Sequence, residues 1–317
     1  MEEDYLKKLV VALGGNAILK YGEKGTFQDQ ISNLKLTATQ LAPVIASWYQ
    51  VVITHGNGPQ VGNILIQNER AKQEVPPMPL DVCGAQSQGQ IGYFLQQVLN
   101  NELRQMGKST EVAAILTQTV VDPDDPAFSN PSKPIGPWLT KQEMLRAKKE
   151  AESWTEDLEK GWRRKVPSPR PVRIHNAKCI ETMLQNGFTV VACGGGGIPV
   201  IDTGDGILQG IEAVIDKDLA SQCIATDIRA HILMILTDVP AVYLNFGTSE
   251  QSPIGRIHVK SMRQLIEKNI FPAGSIGPKV EAAVQFVEKG GEMAIVASIE
   301  NAEEALKGKS GTVIIRG

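Results

Sequence analysis

Short apolar runs rich in β-branched residues, each followed by a stretch with helical periodicity, dominate the sequence. The runs cover residues 9–13, 51–54, 112–121, 188–193, 232–237 and 293–297. Runs that are apolar almost throughout suit strands buried on both faces, and strands that alternate with helices favour a parallel sheet. The pattern therefore predicts an α/β fold whose mostly parallel sheet is covered by helices on both faces.

The intervening helices show recognisable ends. One amphipathic stretch begins near Ile91 and stops at Gly107, and another stops at Gly187, because glycine is a frequent residue just beyond a helix C-terminus. The stretch 31–48 also has a helical pattern, but Pro43 predicts a kink or a break within it.

Composition excludes several classes of protein. Among 317 residues, 32 Lys and Arg stand against 35 Asp and Glu, so the formal net charge of -3 provides no basic field for nucleic acid. No apolar run approaches the roughly 20 residues of a membrane helix, and the acidic start, residues 1–5, does not resemble a signal peptide. We therefore expect a cytoplasmic protein with no nucleic-acid or membrane partner, and we expect its four cysteines to be reduced, mostly structural thiols.

Residues 123–171 interrupt the alternation of strands and helices. Prolines accumulate there, together with three of the four tryptophans and the basic run 163–165. The segment is predicted to be an inserted surface subdomain with a small core of its own, which could also stand over a ligand as a lid.

Three predicted strands run directly into glycine, in segments 13–16, 55–59 and 193–197. Ligands of open parallel sheets bind beyond the carboxyl ends of the strands, where glycine lets backbone N–H groups surround an anion. Each segment alone would fit an ordinary tight turn between a strand and a helix. The three together predict a phosphate or carboxylate site.

Other motifs that bind nucleotides or perform catalysis fit poorly. The P-loop and protein-kinase signatures are absent, and the glycine spacing in 56–62 has one residue too many for a dinucleotide site. Residues 85–89 resemble a serine nucleophile elbow but follow prolines rather than a strand. Asp122, Asp124 and Asp125 lack the glycine and glutamate of a calcium loop and are interpreted as a polar turn.

Two lysines, Lys217 and Lys279, are predicted in the first turns of helices. A cation there opposes the helix dipole at a cost of about 0.3–1 kcal/mol. Asp216, Asp218 or Glu281 could neutralise these lysines in a site exposed to solvent. An anionic ligand shared by both helix ends would also explain them, and phosphoryl transfer requires such cations.

Ten segments together resemble the carbamate kinases of the amino acid kinase family over essentially the whole chain. Segments 161–164 and 166–169 point to carbamate kinases, whereas 194–197 and 237–239 also fit the wider family of acetylglutamate, aspartate and uridylate kinases. The remaining segments are 12–17, 54–62, 125–128, 133–137, 212–218 and 277–283.

The resemblance implies a three-layer αβα sandwich formed by a single domain, 1–317, with a protruding lid subdomain at 123–171, and it implies a homodimer. The implied reaction is reversible: carbamoyl phosphate and ADP give ATP and carbamate, with Mg²⁺ bound through the nucleotide phosphates and no protein ligand to the metal. Arginine breakdown, agmatine use and purine degradation stay open as sources of the carbamoyl phosphate.

The resemblance also implies roles for individual residues. Lys217 would contact the transferring phosphoryl group, Lys279 the nucleotide phosphates and Lys133 the phosphate of carbamoyl phosphate, while Asp216 would hold the lysines in place. Donors to the phosphoryl and carbamate oxygens would come from Gly14, Gly15, Asn16, Gly56 and Asn57. The adenine nucleotide would be flanked by Thr237, Asp238 and Tyr243.

Two other interpretations remain. Another kinase of the same family is disfavoured by the tryptophan-rich insertion. A non-catalytic nucleotide-binding protein is disfavoured because the lysines expected to act in catalysis are present.

Overall fold

The apolar runs form an eight-stranded sheet in the computed structural model, which describes residues 7–47, 49–147, 152–272 and 276–317. In spatial order its strands are β15 (Arg256–His258), β17 (Thr312–Ile315), β16 (Met293–Ser298), β12 (Ile232–Thr237), β1 (Lys7–Leu13), β2 (Tyr49–His55), β9 (Thr189–Val191) and β3 (Val112–Ala114). Every neighbouring pair is parallel except β16 and β17.

Helices cover both faces of this sheet. The helices of the described residues are α1 (Phe27–Ala46), α2 (Gly58–Ala71), α3 (Leu80–Gln105), α4 (Lys141–Ala147), α5 (Ala177–Gln185), α6 (Lys217–Asp227), α7 (Val259–Glu267), α8 (Gly277–Glu288) and α9 (Ala302–Leu306), of which α4 lies in the inserted segment. Alternate residues of β1 face two separate cores: Leu9 and Val11 pack with α1 and α3, whereas Val10 and Ala12 pack with α5, α6 and α8. The predicted three-layer α/β/α architecture is confirmed.

The run 112–121 was predicted as one strand, and that prediction is wrong. It divides into β3 and β4 (Gln118–Val121), which belong to different sheets. The division follows from Thr117, whose N–H donates to Gln88 Oε1 (2.9 Å) and whose carbonyl accepts from Gln88 Nε2 (3.2 Å). The second sheet has the order β11 (Leu208–Gly210), β10 (Ile198–Asp202), β4 and β8 (Pro171–Ile174).

Helix α1 begins with a capping box and does not break at Pro43. The Thr26 and Asp29 side chains each accept a backbone N–H from the other residue. The helix continues through Pro43 to Ala46, so of the predicted kink or break the break is wrong. Trp48, at the end of the predicted stretch, lies outside the described residues. Proline is tolerated here because the flanking residues Ala42 and Val44 are buried in the core, which holds this last turn in place.

The inserted segment contains a third, antiparallel sheet in the order β5 (Lys133–Leu139), β7 (Gly161–Val166) and β6 (Ser153–Asp157). One tryptophan lies in each strand: Trp138, Trp162 and Trp154. Ile135 and Val166 pack against α2 and α3, which attaches this sheet to the main body. Its action as a lid stays a prediction.

A two-stranded sheet of β13 (Val242–Leu244) and β14 (Ser252–Ile254) follows β12. None of the described helices combines the length and the apolar character that crossing a membrane requires.

Replacing Pro43 should stabilise the protein, because alanine restores a backbone donor inside α1. For Pro43→Ala we expect the free energy of unfolding, measured by urea denaturation, to rise by about 1–3 kcal/mol. The matched control is Pro59→Ala, since Pro59 occupies the first turn of α2, where proline is well tolerated. Equal effects of the two substitutions would contradict the explanation.

Candidate active site

Four neighbouring strands, β12, β1, β2 and β9, end at the same edge of the main sheet. At or just beyond their ends lie residues 237–238, 14–16, 56–57 and 194–197 respectively. The three glycine-containing segments therefore lie beside one another, and the Thr-Asp pair at 237–238 extends the row. Such an edge is where parallel α/β sheets bind ligands.

The loops after β1 and β2 meet at Lys217. A Cβ atom on Gly56 would lie 3.4 Å from Lys217 Cδ and 3.7 Å from the Gly15 backbone nitrogen. The lysine chain thus runs along glycine backbone with no side chain between them, so that backbone N–H groups and an ammonium group are available to one ligand.

The loops after β1 and β12 are also joined. A Cβ atom on Gly14 would lie 3.1 Å from the carbonyl oxygen of Leu236, which leaves little room for a larger residue. Asn16 Nδ2 donates to Asp238 Oδ2 at 2.5 Å. These contacts place the β1 loop next to Thr237 and Asp238.

Asp216 caps α6 and pairs with the inserted sheet. Its Oδ1 accepts from the backbone N–H of Asp218 (2.9 Å) and Leu219 (3.3 Å), which fixes Lys217 as the first residue of the helix. Its Oδ2 lies 3.0 Å from Nζ of Lys133 in β5. Asp216 therefore connects the helix start to the inserted sheet.

Asp218 holds the other two lysines. Its side chain is only 4% exposed, and its two oxygens lie 2.7 Å from Lys217 Nζ and 3.0 Å from Lys279 Nζ. We predicted that Asp216 would hold the lysines; among the described residues its only ion pair is with Lys133, and its other oxygen caps the helix. From the sequence, Asp218 is expected only to neutralise a lysine; its place next to Lys217 indicates that pairing but not the pairing with Lys279.

Burial sets the charges of this cluster. Burial lowers the pKa of Lys217, and Asp218 offsets this effect only in part. Burial alone would raise the pKa of Asp218, but Lys217 and Lys279 lower it below its ordinary value. One carboxylate between two ammonium groups leaves an excess positive charge in a partly dehydrated place, which favours an anionic ligand.

The residues predicted to flank the nucleotide are only partly brought together. Thr237 and Asp238, with Gly14 and Asn16, line a cavity of about 430 Å³ beside α1. Tyr243 lies in β13, with its ring centre 6.0 Å from that of Phe246. Within the described residues, no hydrogen bond or ring contact joins Tyr243 to the lysine cluster.

The weaker motifs have structural roles. Ser87 of the supposed nucleophile elbow is buried inside α3 and donates to the carbonyl of Gly84. Asp122 and Asp125 accept backbone N–H groups in a turn, as the polar-turn interpretation expects.

The four cysteines are free thiols, of which Cys179 is exposed and the other three are buried. Burial raises the pKa of Cys223 to about 12 and that of Cys193 well above its ordinary value. A high thiol pKa makes these two groups poor nucleophiles.

Residues 7–298 match the model of the amino acid kinase family. The chain is 49% identical to a carbamate kinase of Thermococcus kodakarensis, over 98% of this chain and 100% of that protein. It is 48% identical to a carbamate kinase of Pyrococcus furiosus, over 98% and 99% of the two chains. The solved structure of a Giardia lamblia carbamate kinase bound to AMP-PNP superposes with a TM-score of 0.93 at 41% identity, covering 98% of this chain and 99% of that one.

Removing the shared carboxylate should destabilise the protein, because two buried ammonium groups would then face each other. For Asp218→Asn we expect the free energy of unfolding, measured by urea denaturation, to fall by about 3–5 kcal/mol.

The matched control is Asp216→Asn. Asparagine also caps helices, and the lost ion pair involves Lys133, whose side chain is 40% exposed. We expect a loss of about 0–1 kcal/mol for this variant. Equal losses in the two variants would contradict the central role of Asp218.

Proposed function

Since the chain belongs to the amino acid kinase family and, within it, to the carbamate kinases, we propose that it transfers a phosphoryl group reversibly between carbamoyl phosphate and ADP, forming carbamate and ATP. The observation that carries this proposal is the pair of buried lysines that share Asp218 beside two glycine loops. It supplies positive charge and backbone donors at one place, which is what phosphoryl transfer needs.

Lys217 is proposed to act on the transferring phosphoryl group. In the direction of ATP formation, an oxygen of the ADP terminal phosphate forms a bond to phosphorus while the bond from phosphorus to the carbamate oxygen breaks. Negative charge spreads over the equatorial oxygens in the transition state. The ammonium group of Lys217 and the N–H groups near Gly15 and Gly56 stabilise that charge, and the reaction needs no covalent enzyme intermediate.

Lys279 and Asp218 complete this arrangement. Lys279 lies in the first turn of α8 and is assigned to the nucleotide phosphates. Asp218 keeps the two ammonium groups at fixed positions, so little reorganisation is required as charge moves between the two substrates. Thr237, Asp238 and Tyr243 are proposed to flank the adenine nucleotide, and Gly14, Asn16 and Asn57 to donate to the acyl phosphate.

Magnesium is proposed to enter with the nucleotide. Within the described ranges, no three His, Cys, Asp or Glu residues gather as a metal site, so the ion is assigned to phosphate oxygens. When bound, Mg²⁺ would neutralise part of the phosphate charge. Asp216 and Asp218 are already engaged by lysines, which fits a metal held mainly by its substrate.

The inserted sheet is proposed to act as a lid, with Lys133 as its contribution to the site. Lys133 is 40% exposed and its only ion pair among the described residues is with Asp216. The phosphate of carbamoyl phosphate would provide a second, stronger partner for this ammonium group. A lid held in this way would exclude water from the phosphoryl group.

We also propose that the protein is a cytoplasmic homodimer. Size-exclusion chromatography with light scattering tests its oligomeric state.

The proposed reaction is tested by mixing the purified protein with carbamoyl phosphate, ADP and Mg²⁺ and measuring ATP with a coupled assay. We expect ATP to form in the wild type and turnover to be abolished in Lys217→Ala, while ADP binding measured by calorimetry changes little. A panel of other acyl phosphates and of nucleoside monophosphates provides the control for specificity. No ATP from carbamoyl phosphate, with activity on another substrate of the panel, would contradict the proposal.

Removing the lid cation should weaken the use of carbamoyl phosphate. For Lys133→Ala we expect a KM for carbamoyl phosphate about 10- to 100-fold higher, because one charge-assisted hydrogen bond contributes about 1.5–3 kcal/mol. The KM for ADP should stay near the wild-type value. Lys165→Ala, in the same sheet, is the control for the loss of a positive charge from the lid. An unchanged KM for carbamoyl phosphate in Lys133→Ala would contradict the proposed contact between Lys133 and this substrate.

A further inference from the structure

The glycine loop 194–197 after β9 fits against a different neighbour at each of its four positions. A Cβ atom would lie 2.5 Å from the His55 ring at the first glycine, 2.1 Å from Asn57 Nδ2 at the second, 2.4 Å from the Ile215 carbonyl oxygen at the third and 2.0 Å from Thr119 Oγ1 at the fourth. The last three glycines also have positive φ angles of 64°, 93° and 90°. Larger residues are therefore excluded by contact as well as by conformation.

The loop itself is held firmly. The carbonyl of Gly194 accepts from Gln88 Nε2 at 3.1 Å, and the carbonyl of Gly196 accepts from Thr119 Oγ1 at 2.9 Å. Gln88 and Thr119 are almost fully buried. Two buried side chains that belong to no part of the proposed site therefore fix the position of this loop.

Two of the four neighbours belong to different parts of the proposed site. Asn57 lies at the start of α2, where its Nδ2 also donates to Ser87 Oγ at 2.8 Å. Ile215 immediately precedes Asp216 and Lys217. The loop therefore lies between the substrate-side asparagine and the start of the helix that carries the central lysine.

His55 is a further contact between the glycine loop and the loop after β2. Burial lowers the pKa of His55 to about 4, so the ring is neutral near pH 7. Its Nδ1 lies 2.9 Å from the carbonyl of Gly56, which assigns the proton to Nδ1 as a donor. The other side of the ring packs on Gly194.

We propose that the glycine loop 194–197 is a positioning element for phosphoryl transfer: by contacting Asn57 on one side and Ile215 on the other, it sets the distance between the acyl-phosphate donors and Lys217. This inference rests on the proposed function. It assigns the loop no role in contacting substrate; the N–H groups of Gly196 and Gly197 donate to the carbonyls of Cys193 and Gly194. The loop affects the reaction through Asn57 and Ile215, which it contacts.

The first test is Gly195→Ala, combined with Asn57→Ala in a double-mutant cycle. Because the loop backbone is held in place, the new methyl group must displace the Asn57 side chain. We expect kcat in Gly195→Ala to fall about 10- to 100-fold, as for a displacement of about 1 Å at a reacting group. The KM for ADP should change less than about 2-fold, since the neighbours found for the loop glycines among the described residues do not include Lys279, Thr237 or Asp238.

The cycle distinguishes displacement of Asn57 from general damage. If Gly195→Ala acts through Asn57, it should cause almost no further loss in the Asn57→Ala background. Losses that multiply, or an Asn57→Ala variant with full activity, would overturn the inference. The matched control is Gly107→Ala, because Gly107 has a similar φ of 71° and no atom within 4 Å of an added Cβ. We expect it to keep wild-type kcat although it bears the same backbone strain.

A second pair of variants does not depend on an alanine at a glycine position. Thr119→Val removes the hydrogen bond to Gly196, whereas Thr119→Ser retains it. We expect kcat to fall in Thr119→Val and to be restored in Thr119→Ser, and equal activity of the two would overturn the inference. A wild-type protein that forms no ATP overturns the proposed function and this inference together. An active wild type with unaffected Gly195→Ala and Thr119→Val variants overturns only the inference.

Discussion

Two ammonium groups share the carboxylate of Asp218, and the site depends on this one buried cluster of charges. Three charges in a place largely closed to water would be costly if any one lacked a partner. The two lysines come from the starts of α6 and α8, so the cluster also determines how those helices lie at the sheet edge. Its excess positive charge is what would let a protein with a net charge of only -3 hold the phosphates of the proposed reaction.

The two aspartates near the start of α6, Asp216 and Asp218, have different roles. Asp216 faces outward, where it caps the helix and meets Lys133 of the inserted sheet. Asp218 faces inward and stays paired with lysines that are only 15% and 16% exposed. The inner pairs are largely shielded from water, whereas the outer pair involves a lysine that is 40% exposed and is therefore the weaker one.

Much of the fold and part of the site follow from local patterns in the sequence. Apolar runs located the strands that form the sheet edge, and glycine after β1 and β2 located the loops around Lys217. The errors came from distant partners: Gln88 ends the strand at Thr117, and core packing carries α1 through Pro43. The role of Asp218 depends on Lys279, 61 positions away, which no local pattern reveals. The roles of the site residues in catalysis stay predictions.

The inserted sheet contains one tryptophan in each of its three strands, Trp138, Trp154 and Trp162, and the chain has only four. Three of the four indole side chains therefore lie in the part of the molecule that carries Lys133. Trp138 lies 5.3 Å from the guanidinium of Arg163, so the emission of this indole is sensitive to how the strands of the sheet sit against each other. Tryptophan fluorescence would therefore report a closing motion of the inserted sheet without an added label.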